Sequence, residues 1–537
     1  MSTNDGDNEA RDGTSALAAI DEGPPATQNL GRHGSVVAGM TFLSRISGLV
    51  RDMVLSYFFG ATPTADAFFV AFRIPNFFRR LFAEGAFSQA FVPVLAGYRN
   101  QGPMAQMREF VAVMAGNFIT VMTAMSLLGV AAAPLFVIIF APGFSDDPVR
   151  LGLTAEMLRI TFPYLGFISL TAFAGALLNS FHRYAIPAFT PVWLNVTMIV
   201  AAVFVAPTFE TPVMALAWGV FAAGLIQLLF QLPALRGIHM LIRPRIELSH
   251  PGVRRVGRLM VPAIFAGSVS QINALVDAMI ASLLASGSIS WLYYSDRLME
   301  LPVGIVAVTI ATVLLPNLSR LSSRGDLAAF DRTVDWGVRT CLLFGVPAAA
   351  ALHVLSLPLM ATVFFHGAMT AFDVRMASLS LQAFAVGLLG FCLVKVAAPA
   401  YFAREDTRTP FRIAVVTVAL NIVLSLALFR VMGHVGVAFA TTTAAIVQSY
   451  LLLRGTIRRG LYRPGRAFAV FLAKVVLATA TMVAALVLVS PTSAGWLQLS
   501  GHARMFWMAG VCALGGFTYF TVLLLAGFRP RDLRYHV

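Results

Sequence analysis

Apolar residues in this chain gather in long unbroken runs, not at every second position or along one helical face, and short polar gaps separate the runs. Runs long enough to cross about 30 Å of hydrocarbon as helices fall near residues 35–58, 66–98, 107–141, 152–181, 185–206 and 212–239. After an arginine-rich gap they continue near 253–286, 289–321, 328–366, 376–404, 409–431, 436–459, 466–490 and 505–528. The pattern predicts an all-α polytopic membrane protein with fourteen transmembrane helices. Several runs exceed one crossing, which predicts tilted helices or helices that project into the cytoplasm.

The gaps predict orientation. Assigning alternate gaps to one side collects twenty-one arginines there, against four (Arg150, Arg375, Arg430 and Arg504) on the other. Cationic residues stay on the cytoplasmic side, so both termini are expected to be cytoplasmic in a multi-pass protein of the cytoplasmic (inner) membrane. The same distribution accounts for the formal charge of +14 and argues against nucleic acid as a partner, because the cations do not cluster on one folded face. Outer gaps such as "GATPTAD" and "APGFSDDPVR" are too short for an external domain. Residues 1–30, rich in Asp, Gly, Ser and Thr and without an apolar core, read as a disordered cytoplasmic leader, not a cleaved signal peptide.

Composition narrows the class further. Of 537 residues 58% are hydrophobic and 12% charged, with mean hydropathy +0.78. A soluble domain carries roughly 25% charged residues. This chain has too few polar residues to cover a water-exposed surface, which excludes a large soluble enzyme.

Spacing predicts an internal duplication. Pro75 and Pro302 stand 227 residues apart, Pro93 and Pro316 stand 223 apart, Pro187 and Pro410 stand 223 apart, and Asn195 and Asn421 stand 226 apart. Six spans per copy is an even number, so the copies enter from the same side and are related about the membrane normal. The expected organisation is two pseudo-symmetric six-helix lobes, 31–240 and 253–460, joined by a basic cytoplasmic linker at 241–252. Helices 13 and 14 with a cytoplasmic tail, 461–537, follow as an appendix.

Charges inside the apolar runs carry the functional signal. Arg45, Arg51 and Asp52 lie in the first run, with Arg45 near mid-membrane, where an arginine facing hydrocarbon costs about 3 kcal/mol or more. In the second run Asp66, Arg73, Arg80 and Glu84 follow spacings that put them on one helical face, provided Pro75 does not rotate it, while Arg79 points about 100° from Arg80. The eighth run adds Asp296, Arg297 and Glu300, and the seventh adds Asp277. Plain pairing, such as Arg80 with Glu84 one turn apart, is the structural alternative. Three arginine-bearing spans are better explained by convergence on a cavity between the lobes. Guanidinium forks fit phosphate oxygens, and low-dielectric walls concentrate their field, so the cargo is expected to be anionic.

Other chemistry finds no support in the sequence. There is no P-loop, no HExxH and no credible serine triad. Cys341, Cys392 and Cys512 have no pairing or metal-binding spacing, and His182, His353, His366 and His434 are scattered. A transporter is expected, not an enzyme, with no identified cofactor or metal. The coupling ion is not identified, and the membrane potential is a candidate driving force.

The stretch "TADAFFVAFRIPNFFRRLFAEGAFSQAFVPVLAGY", Thr64 to Tyr98, together with "SRISGLVRD" from Ser44 and "YYSDRLMELPVGI" from Tyr293, resembles the MurJ/MviN family. "LLPNLSR", Leu314 to Arg320, extends the match. These are peptidoglycan lipid II flippases of the multidrug/oligosaccharidyl-lipid/polysaccharide exporter superfamily. The resemblance implies a V-shaped pair of lobes around a cationic cavity and a groove beside the last two helices for the undecaprenyl tail. It implies substrate-binding roles for Arg45, Arg51, Arg79 and Arg297, and supporting or gating roles for Asp66, Glu84 and Asp296; Asp52 and Arg80 join the supporting set from their positions. Arg79 is preferred to Arg80 on the resemblance alone. The implied function is transfer of lipid II, a pyrophosphate-linked disaccharide-pentapeptide on a polyprenyl tail, from the inner to the outer leaflet by alternating access. Lipid II and membrane phospholipids are the expected partners, with cell-wall synthesis or division proteins as further candidates. Two alternatives stand beside it. An ion- or proton-coupled multidrug exporter of the same architecture would favour acids in its cavity, and a scaffold for cell-wall enzymes would need no buried cations.

Overall fold

The structure is a computed structural model and describes residues 26–529. The predicted leader up to residue 25 and the tail from residue 530 lie outside the described residues. Every regular element among those described is a helix. The first, Ala26–Phe59, begins inside the stretch expected to be leader. The second run is built from Pro63–Phe78, the π-helical Arg79–Phe87 and Ser88–Gln101, end to end. Met104–Ala131, Pro148–Thr161 with Tyr164–Ser180, Ala185–Phe189 with Pro191–Val200, and Met214–Gly237 follow.

The later half runs through Pro251–Ser282, Ser288–Arg324, Leu327–Val354, Ala371–Phe402, Arg408–Arg458, Arg466–Val489 and Gly501–Leu525. Breaks fall where the backbone demands them. Pro163 and Pro191 stand at interruptions, since proline removes a helical donor. Gly433 (φ 58°, ψ −137°) interrupts Arg408–Arg458 between the two runs predicted there, a conformation open mainly to glycine.

Nine helices among the described residues are long and apolar enough to cross a membrane by themselves. Ala26–Phe59, Pro251–Ser282 and Ser288–Arg324 are longer than most of the nine but fall outside that set. The first and last of these carry Arg45, Arg51, Asp52, Asp296 and Arg297, which face a cavity inside the bundle. The outer surface presents Leu127, Phe204, Leu488, Phe506, Phe517 and Leu525, each more than half exposed. Such a surface suits lipid and not water.

Hydrogen bonds repeat across the chain. Asn195 Nδ2 donates to Ser47 Oγ at 2.8 Å across 148 residues, and Arg51 Nη1 donates to Asn195 Oδ1 at 3.1 Å across 144. Asn421 Nδ2 donates to Asn273 Oδ1 at 2.7 Å across 148 residues and to Asp277 Oδ1 at 2.8 Å across 144. Corresponding residues therefore sit 226 apart, the spacing of Asn195 and Asn421. The duplication is visible as equivalent contacts, with Arg51 in one copy answered by Asp277 in the other.

The ends of the bundle differ. Where the first helix finishes, the two halves are stitched together: Ala368 N–H donates to Tyr57 O at 2.8 Å, and Tyr294 O–H to Gly60 O at 3.2 Å. Gly143 N–H donates to Ser282 Oγ at 3.1 Å. At the other end the 238–250 segment, which holds most of the linker predicted at 241–252, docks along Met104–Ala131. Arg245 N–H donates to Ala112 O at 2.9 Å, and Asn117 Nδ2 to Glu247 O at 2.8 Å.

Candidate functional site

A cavity of about 770 Å³ lies between helices of the two halves. Its wall includes Arg45, Arg51, Arg73, Arg79, Arg80 and Arg297 beside Asp52, Asp296 and Glu300, six cations against three carboxylates. The four arginines singled out by resemblance therefore share one opening. So do Asp52, Arg80 and Asp296.

Each cation is held differently. Arg51 is 6% exposed and Asp52 1%, and they form an ion pair with Nη2 to Oδ1 at 2.7 Å and Nε to Oδ1 at 2.9 Å. The Arg51 fork also reaches Asn195 and, at 3.1 Å, the Tyr293 hydroxyl, which in turn donates to Asp52 Oδ1 at 2.9 Å. Arg297 closes this knot from the second half, with Nε 3.4 Å from Asp52 Oδ2 and its guanidinium 4.9 Å from the centre of the Tyr293 ring. Phe69 stacks on the other side of the knot, its centroid 4.1 Å from that of Tyr293. Arg297 Nη1 also donates to Glu300 Oε2 at 3.0 Å and keeps about 30% of its side chain accessible. Arg51 thus spends its fork on protein, whereas Arg297 keeps surface for a second partner.

Arg45 lies against Gly304 on Ser288–Arg324, where a Cβ would overlap the guanidinium. The bare glycine is what lets the cation occupy the space between the first and eighth runs. Arg79 Nε donates to Asn76 Oδ1 at 3.0 Å, one turn back on the same chain segment.

Of the residues expected on one face, Arg73 and Arg80 line the cavity and Asp66 does not. Arg79–Phe87 is π-helical, and its wider turn changes the angular register that a uniform 100° step assumes. Arg79 and Arg80 both reach the cavity wall, and the Glu84 side chain lies outside the described residues. Asp66 is turned away from the cavity lining. Its Oδ1 accepts Ser290 N–H at 2.9 Å and Ser290 Oγ–H at 2.5 Å; its Oδ2 accepts Gly287 N–H at 2.7 Å and Arg150 Nη2–H at 2.9 Å. The carboxylate therefore caps Ser288–Arg324, where free backbone donors and the helix dipole favour an anion.

Charge in apolar runs does not point to Tyr293, Asn195 as a contact, Gln227 or Gln231, all on the cavity wall. Neutral polar residues are common in spans. The signal for Asn195 is its recurrence as Asn421.

Two comparable halves around a cationic cavity in a multi-pass bundle define a membrane transporter. The fold matches an inward-facing multidrug resistance MATE family transporter of the MOP superfamily with TM-score 0.64 at 12% identity, over 79% of this chain and 98% of that one. A structure of "Lipid II flippase MurJ, inward closed conformation" matches with TM-score 0.78 at 27% identity, over 93% of this chain and 99% of that one. The family profile "Lipid II flippase MurJ" matches residues 55–506. The "Probable lipid II flippase MurJ" of Vibrio cholerae is 44% identical over 515 residues, covering 95% of this chain and 98% of that protein. The "Lipid II flippase MurJ" of Burkholderia cenocepacia is 39% identical over 507 residues, covering 93% and 98%. The chain belongs to the MurJ family of lipid II flippases.

Proposed function

We propose that this chain carries lipid II from the inner to the outer leaflet of the cytoplasmic membrane by alternating access. The observation that carries the proposal is the cavity itself, with six arginines facing three carboxylates on helices of both halves. Guanidinium pairs grip a pyrophosphate bidentately. Two like charges 4 Å apart repel by about 4 kcal/mol at an effective dielectric of 20, so binding an anion between them removes a barrier to approach of the halves.

The moving bodies are the lobes 31–240 and 253–460, and helices 13 and 14 complete a fourteen-span topology with both termini cytoplasmic. In that orientation the stitched end, with Asp66, Gly60 and Ala368, faces outward and the cavity serves the inner leaflet. The headgroup enters while the polyprenyl chain stays in lipid. Closure around the pyrophosphate loosens the outer stitches, and the headgroup leaves on the other side. No bond in the substrate breaks. Arg45, Arg79 and Arg297 contact the pyrophosphate, joined by Arg51 once closure frees its fork from Asp52, Asn195 and Tyr293, while Asp52, Asp296 and Arg80 support them and Asp66 gates. The membrane potential, worth about 2.3 kcal/mol per charge per 100 mV, biases the return step.

A multidrug exporter with the same fold would carry cationic or amphiphilic cargo, which a wall of net positive charge disfavours. The test is an accessibility assay for lipid II on the outer face of cells or vesicles. Alanine at Arg45, Arg79 or Arg297 is expected to leave inserted, folded protein that no longer exposes lipid II. Normal exposure by well-expressed variants, or preferential transport of a cationic drug, would overturn the proposal.

A further inference from the structure

Gln227 and Gln231 stand one turn apart on Met214–Gly237, are 2% and 1% exposed, and both belong to the cavity wall. Both amides are anchored on one residue. Gln227 Nε2 donates to Thr190 O at 3.2 Å, and Gln231 Nε2 donates to Thr190 Oγ at 2.9 Å. Thr190 lies between the helices Ala185–Phe189 and Pro191–Val200, so its carbonyl is offered at a break in the chain.

These contacts decide which way each amide points. A carbonyl can only accept. The single proton of the Thr190 hydroxyl is committed to Ile186 O at 2.8 Å, so its oxygen must accept as well. Reversing either glutamine would set oxygen against oxygen. Both side chains therefore direct nitrogen to Thr190 and Oε1 elsewhere. Among the described residues neither Oε1 meets a hydrogen-bond donor. Buried acceptors left unmatched are costly and rare, and here two occur side by side in the wall of the transport cavity. Gly175 stands beside it: a Cβ there would lie 3.8 Å from Gln231 Oε1 and 3.4 Å from Pro187 Cβ, so its bare Cα leaves room next to that buried oxygen.

We propose that Gln227 and Gln231 form an acceptor subsite for neutral N–H and O–H donors of the headgroup, separate in role from the arginines. Cationic donors are repelled by the surrounding guanidinium groups, and phosphate offers acceptors only. The matching chemistry is amide N–H or sugar hydroxyl, both abundant in a disaccharide-pentapeptide. The arginines then hold the pyrophosphate common to all polyprenyl pyrophosphates, and the glutamines distinguish a headgroup bearing sugar and peptide. This inference rests on the lipid II reading above.

The test compares binding of lipid II and of undecaprenyl pyrophosphate to the full chain in nanodiscs. Gln227→Met with Gln231→Met removes both acceptors at nearly constant volume. Loss of two neutral hydrogen bonds is expected to weaken lipid II binding on the order of tenfold, with undecaprenyl pyrophosphate unchanged. Gly175→Ala, whose Cβ meets only ordinary contacts, fills the space beside Gln231 Oε1 that a donor would enter and is expected to weaken lipid II binding a few-fold, again selectively. It decides the matter if the double variant does not fold. A lipid II without its peptide identifies the donor: a penalty that vanishes assigns peptide amides, and one that persists assigns the sugars. Equal loss for both lipids, or loss for neither, overturns the subsite while leaving the transport reading intact. Failure of the unsubstituted chain to bind either lipid overturns both.

Discussion

The carboxylate of Asp66 receives the backbone N–H of Ser290 at 2.9 Å across a sequence separation of 224 residues. One buried side chain from the second run thus caps the eighth, and the same carboxylate holds Arg150 at 2.9 Å. Such a link is strong while the halves meet, because the carboxylate satisfies several donors at once, and water must replace all of them when they part.

Asp66→Ala is expected to free this end of the bundle. Removing one partner of a buried ion pair costs about 3–5 kcal/mol, enough to invert the balance between two states that differ by a few. A cysteine introduced at Ala172 on the cavity wall should react at least tenfold faster with an impermeant maleimide added outside cells. Cys512, the exposed native thiol, is replaced by serine in the same background. An unchanged labelling rate would show that Asp66 does not hold the gate.

Gly304 offers a gentler probe of Arg45. A Cβ at this position overlaps the guanidinium, the mobile end of a long side chain, so Gly304→Ala is expected to displace Arg45 without unfolding the helix. A charge-assisted hydrogen bond is worth about 1.5–3 kcal/mol. Lipid II affinity is therefore expected to fall roughly tenfold or more, up to the loss caused by Arg45→Ala. The two changes combined should be no worse than Arg45→Ala alone. Additive losses would mean that Gly304 acts through something other than Arg45.

Much of this arrangement is legible in the chain because hydrocarbon makes charge conspicuous. Arg45, Arg51 and Arg297 stand out in apolar runs, and the structure brings them to one wall with Arg79. Asp66 is misread because spacing fixes direction around a helix and not depth along it: seven residues before Arg73, about 10 Å along the axis, it meets the start of Ser288–Arg324 instead of the cavity. Arg150, counted in the sequence only as an outer-gap charge, proves to be the partner of Asp66 because that pairing depends on a contact between distant segments. Gln227 and Gln231 carry no formal charge, so nothing along the chain separates them from packing residues. Their importance appears only when Thr190 fixes the direction of both amides.

The Arg51–Asp52 pair gives a stability prediction. Arg51 makes four hydrogen bonds from three nitrogens, two to Asp52 and one each to Asn195 and Tyr293, whereas an ammonium has three donors on a single atom. Arg51→Lys is therefore expected to behave more like a loss than a conservative change, lowering the melting temperature of the detergent-solubilised protein. Asp52→Asn should do likewise, since it leaves Arg51 buried and uncompensated. The double variant should be less destabilised than the sum, because each single change strands the other partner. Strict additivity would dissolve the pair as an energetic unit.

The last prediction concerns acid and the end of the bundle remote from the Asp66 link. Asp406 lies in the turn between Ala371–Phe402 and Arg408–Arg458. Its Oδ2 accepts a hydrogen bond from Arg459 Nη1 at 2.5 Å, and Arg459 also donates to Thr409 Oγ1 at 2.9 Å. The Arg459 hydrogen bond, helped by those of Thr409, lowers the Asp406 carboxyl from its ordinary 3.8 to about 2. A carboxyl whose folded value is depressed stabilises the fold above its ordinary value, and that contribution fades as pH falls through the folded one. The window is thus about pH 4 down to about pH 2. Both side chains are partly exposed, so the contribution is small and screened by salt. The amide protection of residues 403–409, corrected for the intrinsic pH dependence of exchange, is expected to fall across that window in the unsubstituted chain. Arg459→Gln should make the same turn exchange rapidly at neutral pH and flatten its response to acid. A turn equally protected in both proteins at neutral pH would show that the pair does not hold it.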